Sequence, residues 1–437
     1  MKSHQFKQYS LHPIINETID RLEFHKPTPI QEKVIPAVLR GESVIGQSHT
    51  GSGKTHAYLL PLFNQINEAK NEVQFVITAP TRELAIQIHD EVRKIIHYAN
   101  KDHRWHAKLL IGGTDKKRSI EKLKEQPHIV VGTPGRILDL VNEGALDFSA
   151  AKSFVVDEAD LMLDLGFIQE VDQILVKTNQ EIQLLVFSAT IPERLQPFLK
   201  KYLESPAYLK ADEQKLSPET MEHRLVPLRH RSTSEMVFRI SEAIHPYLAI
   251  VFTNGKELAN QLAKELTERG MEVGLIHGGL SPRERKRVLK EIQNLRYQYI
   301  VATDLAARGI DIKGVSHVIN AQLPKEEEFY IHRVGRTARA GMEGTAINLF
   351  ADSDIQLIEK LEKKGLTFTS YDIKQGEWIE TKSWNERSTR KKTESDTEKE
   401  AWRKVKKPKK VKPGYKKKLK QEQQKVKKKL NRNKYKK

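Results

Sequence analysis

Between residues 43 and 210, short apolar and β-branched runs alternate with longer stretches whose apolar positions recur every three or four residues. The runs are SVIG (43–46), FVITA (75–79), KLLIG (108–112), HIVVG (128–132), SFVV (153–156) and LLVF (184–187). Runs so short and so continuously apolar read as strands covered on both faces, and the amphipathic stretches between them as the covering helices. A second series follows residue 220: LAIVF (248–252), VGLIH (273–277), YIVA (299–302), HVIN (317–320) and GTAINLF (344–350). The pattern predicts two tandem α/β parallel-sheet domains. Periodicity lapses around ADEQKLSPET (211–220), where Pro218 sits among charges, so a hinge is expected there. The expected boundaries are 1–209 and 222–378 for the domains, 210–221 for the linker and 379–437 for a tail.

Composition sharpens the picture at the tail. Lys dominates after about Trp378, and branched aliphatic residues nearly vanish. Such a segment buries too little surface to offset its ordering entropy, so a disordered tail is expected. Tyr415, Leu419, Val426 and Leu430 would share one helical face, the piece a partner could order. Residues 381–437 hold 25 Lys and Arg against six Asp and Glu, while the other 380 residues carry 50 against 51. The whole excess of the +18 chain therefore sits in the tail. Counterion release makes such a segment a polyanion binder; nucleic acid leads, with anionic lipid and acidic proteins as alternatives.

Other classes fall away. No apolar run approaches the ~20 residues of a spanning helix, and MKSHQFKQYSLHP lacks the apolar core of a secretion signal. With no cysteine there is no disulfide, thiolate zinc site or cysteine nucleophile, which suits a reducing cytoplasm.

The strand at 43–46 runs into a Gly-rich loop, Ser48-His49-Thr50-Gly51-Ser52-Gly53-Lys54-Thr55, that opens a helix. Backbone N–H groups of such a loop cradle phosphate oxygens; Lys54 can reach the terminal phosphates, and the Thr55 hydroxyl can ligate magnesium. About 100 residues downstream, SFVV ends in Asp157-Glu158-Ala159-Asp160, an acidic cluster at the carboxyl end of a buried strand, where ligands of open α/β sheets collect. Asp157 is suited to the magnesium shell, partly through water, and Glu158 to orienting or deprotonating an attacking water. Either motif alone is a weak signal, since glycines make turns and acids decorate helix starts. Together they specify a nucleotide hydrolase.

Further landmarks follow in order: Phe24 with PTPIQ (27–31), PTREL (80–84), GG (112–113), TPGR (133–136), SAT (188–190), VFTN (251–254), TDLAARGID (303–311) and HRVGRTARAG (332–341). With DEAD itself at 157–160, the chain over residues 6–350 resembles the DEAD-box ATP-dependent RNA helicases, most of all the bacterial cold-shock type. The resemblance implies two RecA-like domains, the first carrying a Q motif, with ATP and Mg2+ as cofactors. It implies local, ATP-coupled unwinding of short RNA duplexes by a monomer that binds single-stranded RNA without regard to sequence. Ribosome assembly, mRNA restructuring in the cold and RNA degradation are the settings it leaves open.

By the same resemblance, Gln31 reads adenine and Phe24 stacks on it, with Phe6 as the upstream aromatic. Asp311 contacts the ribose, and Arg336 and Arg339 act as arginine fingers from the second domain, able to supply ~10³ to 10⁵ in rate. Asp160, Ser188 and Thr190 couple nucleotide to RNA. Thr81, Arg82, Gly113, Thr133 and Arg136 of the first lobe, with Thr303 and Arg308 of the second, hold RNA through its phosphates and 2′-hydroxyls. Three positions depart from the family pattern. Ser48 replaces Ala, Glu23 stands where Gly commonly precedes the aromatic, and Pro282 follows the Ser of HGGLS where Gln is usual, although Arg285 remains. Two rivals share the two-lobe plan: a DNA-directed helicase, distinguished by hydrolysis stimulated at least as well by DNA, and an ATP-gated RNA clamp, distinguished by an indifferent Glu158→Gln variant.

Overall fold

The structure is a computed structural model that describes residues 5–48, 51–113, 115–121, 123–203, 206–211, 221–304, 312, 314–337 and 343–385. The expected linker (at 212–220) and nearly all of the expected tail (386–437) lie outside these residues, as do His49, Thr50, Arg308, Asp311 and Arg339. The chain divides into a unit of Met1–Ile379, which carries both sheets, and a second of Glu380–Lys437.

The first sheet contains β1 (Val44–Gln47), β2 (Phe75–Thr78), β3 (Ala107–Leu110), β4 (Ile129–Gly132), β5 (Ser153–Val156), β6 (Gln183–Ser188) and β7 (Ala207–Lys210). Their order is β3-β4-β2-β5-β6-β1-β7, every pairing parallel. All carboxyl ends therefore emerge along one edge. Read across that edge, the loops are GG after β3, TPGR after β4, PTREL after β2, DEAD after β5, SAT after β6 and the Gly-rich loop after β1. Sequence-distant motifs are thus ranked by strand order.

Both faces of this sheet are covered, as near-continuous apolar strands require. On one side α1 (Pro13–Arg21), α2 (Pro29–Leu39), α3 (Lys54–Asn64) and α4 (Arg82–Tyr98) bury Ile15, Val34, Leu60 and Ile88, with Phe6 of the N-terminal turn at 0% exposure. The helices Pro134–Asn142 and Ile168–Leu175 bury Ile137 and Val171 on the other.

The second sheet holds β8 (Met221–Pro227), β9 (Ala249–Thr253), β10 (Val273–Ile276), β11 (Tyr299–Thr303), β12 (His317–Asn320), β13 (Gly344–Phe350), β14 (Thr369–Lys374) and β15 (Glu377–Glu380). The order is β10-β11-β9-β12-β13-β8-β14-β15. Four strands went unseen in the apolar pattern: β7, β8, β14 and β15. They sit at or near sheet margins; β8 and β14 mix buried with half-exposed positions and β7 and β15 have no buried position, so the long apolar run is missing. Gln375 and Gly376, both at positive φ, make the two-residue turn between β14 and β15.

Candidate functional site

The site begins with the turn that ends α1. Its C-terminus carries the two hydrogen bonds of a Schellman motif, Phe24 N–H to Ile19 C=O at 3.2 Å and Glu23 N–H to Asp20 C=O at 3.1 Å. That motif needs a left-handed residue, and Glu23 supplies it at φ 59. The turn geometry a glycine would give is thus kept by a glutamate under backbone strain. Phe24 then meets the His56 ring edge-on, centroids 4.8 Å apart. His56 is in turn paired with Glu91 at 3.4 Å. The His56 imidazole is the chief reason Glu91 is held down at about 2, with Lys94 assisting against the cost of burial.

Gln31 bridges two elements. Its Oε1 accepts from Thr28 N–H at 3.0 Å, capping α2, and its Nε2 donates to the Gly53 carbonyl at 3.0 Å. Gly53 is left-handed at φ 92, and a Cβ there would lie 2.7 Å from Gln31 Nε2, so only glycine lets the loop approach. Lys54, at the start of α3 and 7% exposed, folds back to donate to the Ser48 carbonyl at 2.5 Å. That contact places the Lys54 ammonium at the loop, within reach of an anion bound there. Ser48 itself is buried and small enough for its place.

At the end of β5, Asp157 is buried and accepts from Tyr58 O–H at 3.0 Å and from Glu158 N–H at 2.9 Å. Burial pushes its carboxyl up to about 6, although Lys54 pulls the other way. Burial first, then the Asp157 charge, raise the Tyr58 phenol well above its ordinary value, so it stays a donor. Glu158 follows in the left-handed region at φ 49 and ψ 55, which turns its side chain away from the strand direction.

Asp160 is the hub of the edge. Its Oδ2 accepts from Thr190 N–H at 3.0 Å and Thr190 Oγ1 at 2.9 Å; its own N–H donates to Ser188 Oγ at 3.2 Å. Ser188 Oγ donates to the Thr190 carbonyl at 2.6 Å. From the second lobe, His332 Nε2 reaches Asp160 Oδ2 at 3.1 Å, with both side chains under a tenth exposed. A second cross-lobe pair joins Arg285 to Glu83 of PTREL at 2.6 Å.

At the other half of the edge, Thr81 caps α4 by accepting from Leu84 N–H at 3.2 Å. The Arg82 guanidinium lies so close to the β3–β4 side loop that a Cβ on Gly113, left-handed at φ 80, would sit 2.7 Å from its Nη1. Arg136 Nε donates to the Ile111 carbonyl of the same loop at 3.2 Å, and Thr133 starts the helix that carries Arg136. Arg82, Gly113, Thr133 and Arg136 therefore gather at one place. Thr303 ends β11 in the second lobe, 7% exposed, and Arg336 is buried just past the helix Glu327–Val334.

Several residues at the site were not singled out by the sequence. His332, Glu83, Tyr58 and His56 each lie within or beside a motif already noted, so their positions were legible while their partners were not. Arg333 is the clearest case. At 1% exposure it ion-pairs with Asp304 and donates to Asn254 Oδ1 at 2.7 Å, Asn320 Oδ1 at 3.0 Å and the Gln322 carbonyl at 2.6 Å. It ties together the loops after β9, β11 and β12 and so sets where the helix Glu327–Val334 stands.

Comparison with known proteins identifies the family. Residues 28–198 match the DEAD/DEAH box helicase family, and residues 231–341 match the helicase conserved C-terminal domain. The chain is 54% identical over 433 residues to the DEAD-box ATP-dependent RNA helicase CshB of Bacillus subtilis (strain 168), covering 99% of both. It is 50% identical over 419 residues to the CshB of Listeria monocytogenes, covering 96% of both. Among solved structures, S. cerevisiae Dbp5 bound to RNA and ADP BeF3 superimposes with a TM-score of 0.74 at 28% identity, over 89% of this chain and 98% of that one. The DEAD-box helicase Mss116 bound to ssRNA and UDP-BeF gives 0.73 at 29% identity, over 84% of this chain and 80% of that one.

Proposed function

The chain belongs to the DEAD-box family of ATP-dependent RNA helicases, and from that premise we propose a residue-level mechanism for its coupling of ATP hydrolysis to RNA unwinding. The observation that carries it is the Asp160 hub, which touches the SAT loop of its own lobe and His332 of the other at once. ATP enters at the Gly-rich loop; Lys54 leaves the Ser48 carbonyl for the terminal phosphates. Gln31 turns its amide to the adenine edge while Phe24, braced by His56, covers the ring. A side chain built to hydrogen-bond one base leaves its polar atoms unpaired against another, which favours ATP over GTP.

Thr55 and Asp157 fit a magnesium ion, being a hydroxyl and a carboxylate, the oxygen donors a hard cation takes. Among the described residues no three His, Asp or Glu side chains gather to hold a metal alone, so phosphate and water oxygens would complete the shell. Held there, a magnesium ion would supply neutralisation of phosphate charge. Glu158 orients the attacking water. Arg336 and Arg339 stabilise the charge that develops on the transferred group, so hydrolysis requires both lobes.

RNA lies along the other half of the edge, held on its backbone by Thr81, Arg82, Gly113, Thr133 and Arg136, with Thr303 and Arg308 opposite. Closure of the lobes over both ligands bends one strand so that a short duplex no longer pairs, and hydrolysis permits reopening. The basic tail adds sequence-independent attraction. The setting we propose is the cytoplasm, where a monomer restructures mRNA or ribosomal RNA in the cold, which accords with the CshB name of the relatives.

Coupling between two binding equilibria is reciprocal. In the intact chain a nonhydrolysable ATP analogue therefore tightens RNA binding, and RNA tightens the analogue equally. Asp160→Asn is expected to leave each ligand bound while removing the mutual gain, together with strand separation. A variant that keeps the full gain would refute the role given to Asp160.

A further inference from the structure

The groove that starts at Arg82 does not stop there. Arg82, Ile86, His89 and Arg93 are spaced four, three and four residues apart on α4, which puts them on one helical face. Alongside runs β3, the outermost strand of its sheet. The two are antiparallel neighbours: Arg82 meets Gly112 and Gly113 just past the end of β3, while His89 bonds the Ala107 backbone at its beginning. From Arg82 to Arg93 the helix rises ~16 Å, a length on the order of five nucleotides of a stacked strand.

At the far end of that groove lies a pocket of about 360 Å³, lined by His89 and Arg93 from α4 and by Trp105, His106 and Lys108 from the start of β3. It is remote from the nucleotide loop. Trp105 is 5% exposed, and its indole N–H has no hydrogen-bond partner among the described residues. The His106 ring is exposed and stacks on His128 at 5.5 Å with planes 16° apart. Asp102 is the one acid on the lining, and it faces His97 at 3.5 Å. Two fixed cations, a buried N–H and an exposed flat ring suit a strand that brings a phosphate and an unpaired base together.

We propose that this pocket holds a backbone phosphate of the RNA strand where it runs on beyond the segment gripped between the lobes, with Arg93 and Lys108 as the cations. The proposal rests on the reading of Arg82 and Gly113 as RNA contacts. It extends the binding track of the first lobe down the α4–β3 groove and gives the folded core its own hold on flanking RNA, separate from the tail.

The test uses the full-length chain and two RNA strands, one just long enough to fill the groove between the lobes and one with a single-stranded extension. The wild type is expected to bind the extended strand more tightly. In Arg93→Ser/Lys108→Ser that gain falls about tenfold, and the salt slope for the extended strand becomes shallower by about 0.7, as one lost phosphate contact requires. Affinity for the short strand holds, and the charge-keeping swap Arg93→Lys/Lys108→Arg retains the gain. If the Ser variant keeps the whole gain, the extension is held elsewhere, as by the tail, and the proposal fails. Equal loss on both strands would also overturn it, because the residues would then act within the central groove or through the fold. Inorganic phosphate at matched ionic strength should not compete with the extension; competition would reassign the pocket to a free anion. Arg82→Ala provides the independent check, since a variant that binds the short strand normally would sink the underlying RNA reading instead.

Discussion

Asp157 shows how a single residue can be costly at rest and useful in action. Its carboxyl is raised from an ordinary value to about 6 because it is buried, which outweighs the opposing pull of Lys54. The folded state then holds a proton that the unfolded chain has released, so this group's contribution to stability is full below about pH 4 and is lost as pH rises through 6. Above that range the buried carboxylate costs up to about 3 kcal/mol. Asp157→Asn should therefore raise the thermal stability of the nucleotide-free protein at pH 7.5 more than at pH 5, while ATPase activity disappears. Equal shifts at both values would contradict the assignment. Glu23 is the second such residue. Its left-handed φ was foreshadowed by a missing glycine, and Glu23→Gly should stabilise the chain by about 0.5–1 kcal/mol in urea unfolding. A loss of stability there would mean that the Glu23 side chain earns its place through contacts of its own.

At the scale of elements, most of the strands that the apolar pattern revealed are buried on both faces, such as β2, β4 and β5, and the half-exposed edge strands β3 and β10 were found because their residues stay largely apolar even there. The marginal strands β7, β8, β14 and β15 escaped it because half-exposed positions break the run. The motifs were legible from residue types and spacing, but their order along the edge was not, since parallel pairing, not sequence, sets DEAD and SAT between the RNA half and the nucleotide half. Nor could spacing reveal that Gln31 caps α2 while holding the Gly53 carbonyl, because one amide serves two partners from different elements. In the second lobe β8 carries a testable liability. His223 is buried against Tyr330, Nδ1 to Oη at 2.8 Å, and burial drops its imidazole to about 4. The folded state thus favours the neutral ring, whose contribution to stability is present above about pH 6.5 and lost as pH falls through 4. Acid should weaken the second lobe by up to about 3 kcal/mol over that window. His223→Gln should flatten this limb of the stability profile, and an unchanged profile would move the cause elsewhere.

For the whole molecule, the account turns on a reaction centre that no single lobe completes. Asp160 with His332 and Glu83 with Arg285 are the described ties across the lobes, one on the nucleotide side of the edge and one on the RNA side. A charge pair of the second kind joins a residue next to Arg82 with one expected near RNA, so closure and RNA binding share the same few side chains. What the sequence could not disclose at this scale is contact between lobes, since each partner has an ordinary role in its own motif. The most direct measurement is RNA-stimulated ATP hydrolysis by the full chain carrying Arg336→Ala, with nucleotide and RNA binding followed in parallel. The account predicts that both ligands still bind and that turnover falls by roughly 10³ or more. Hydrolysis at the wild-type rate, with RNA still stimulating it, would contradict a centre built from both lobes.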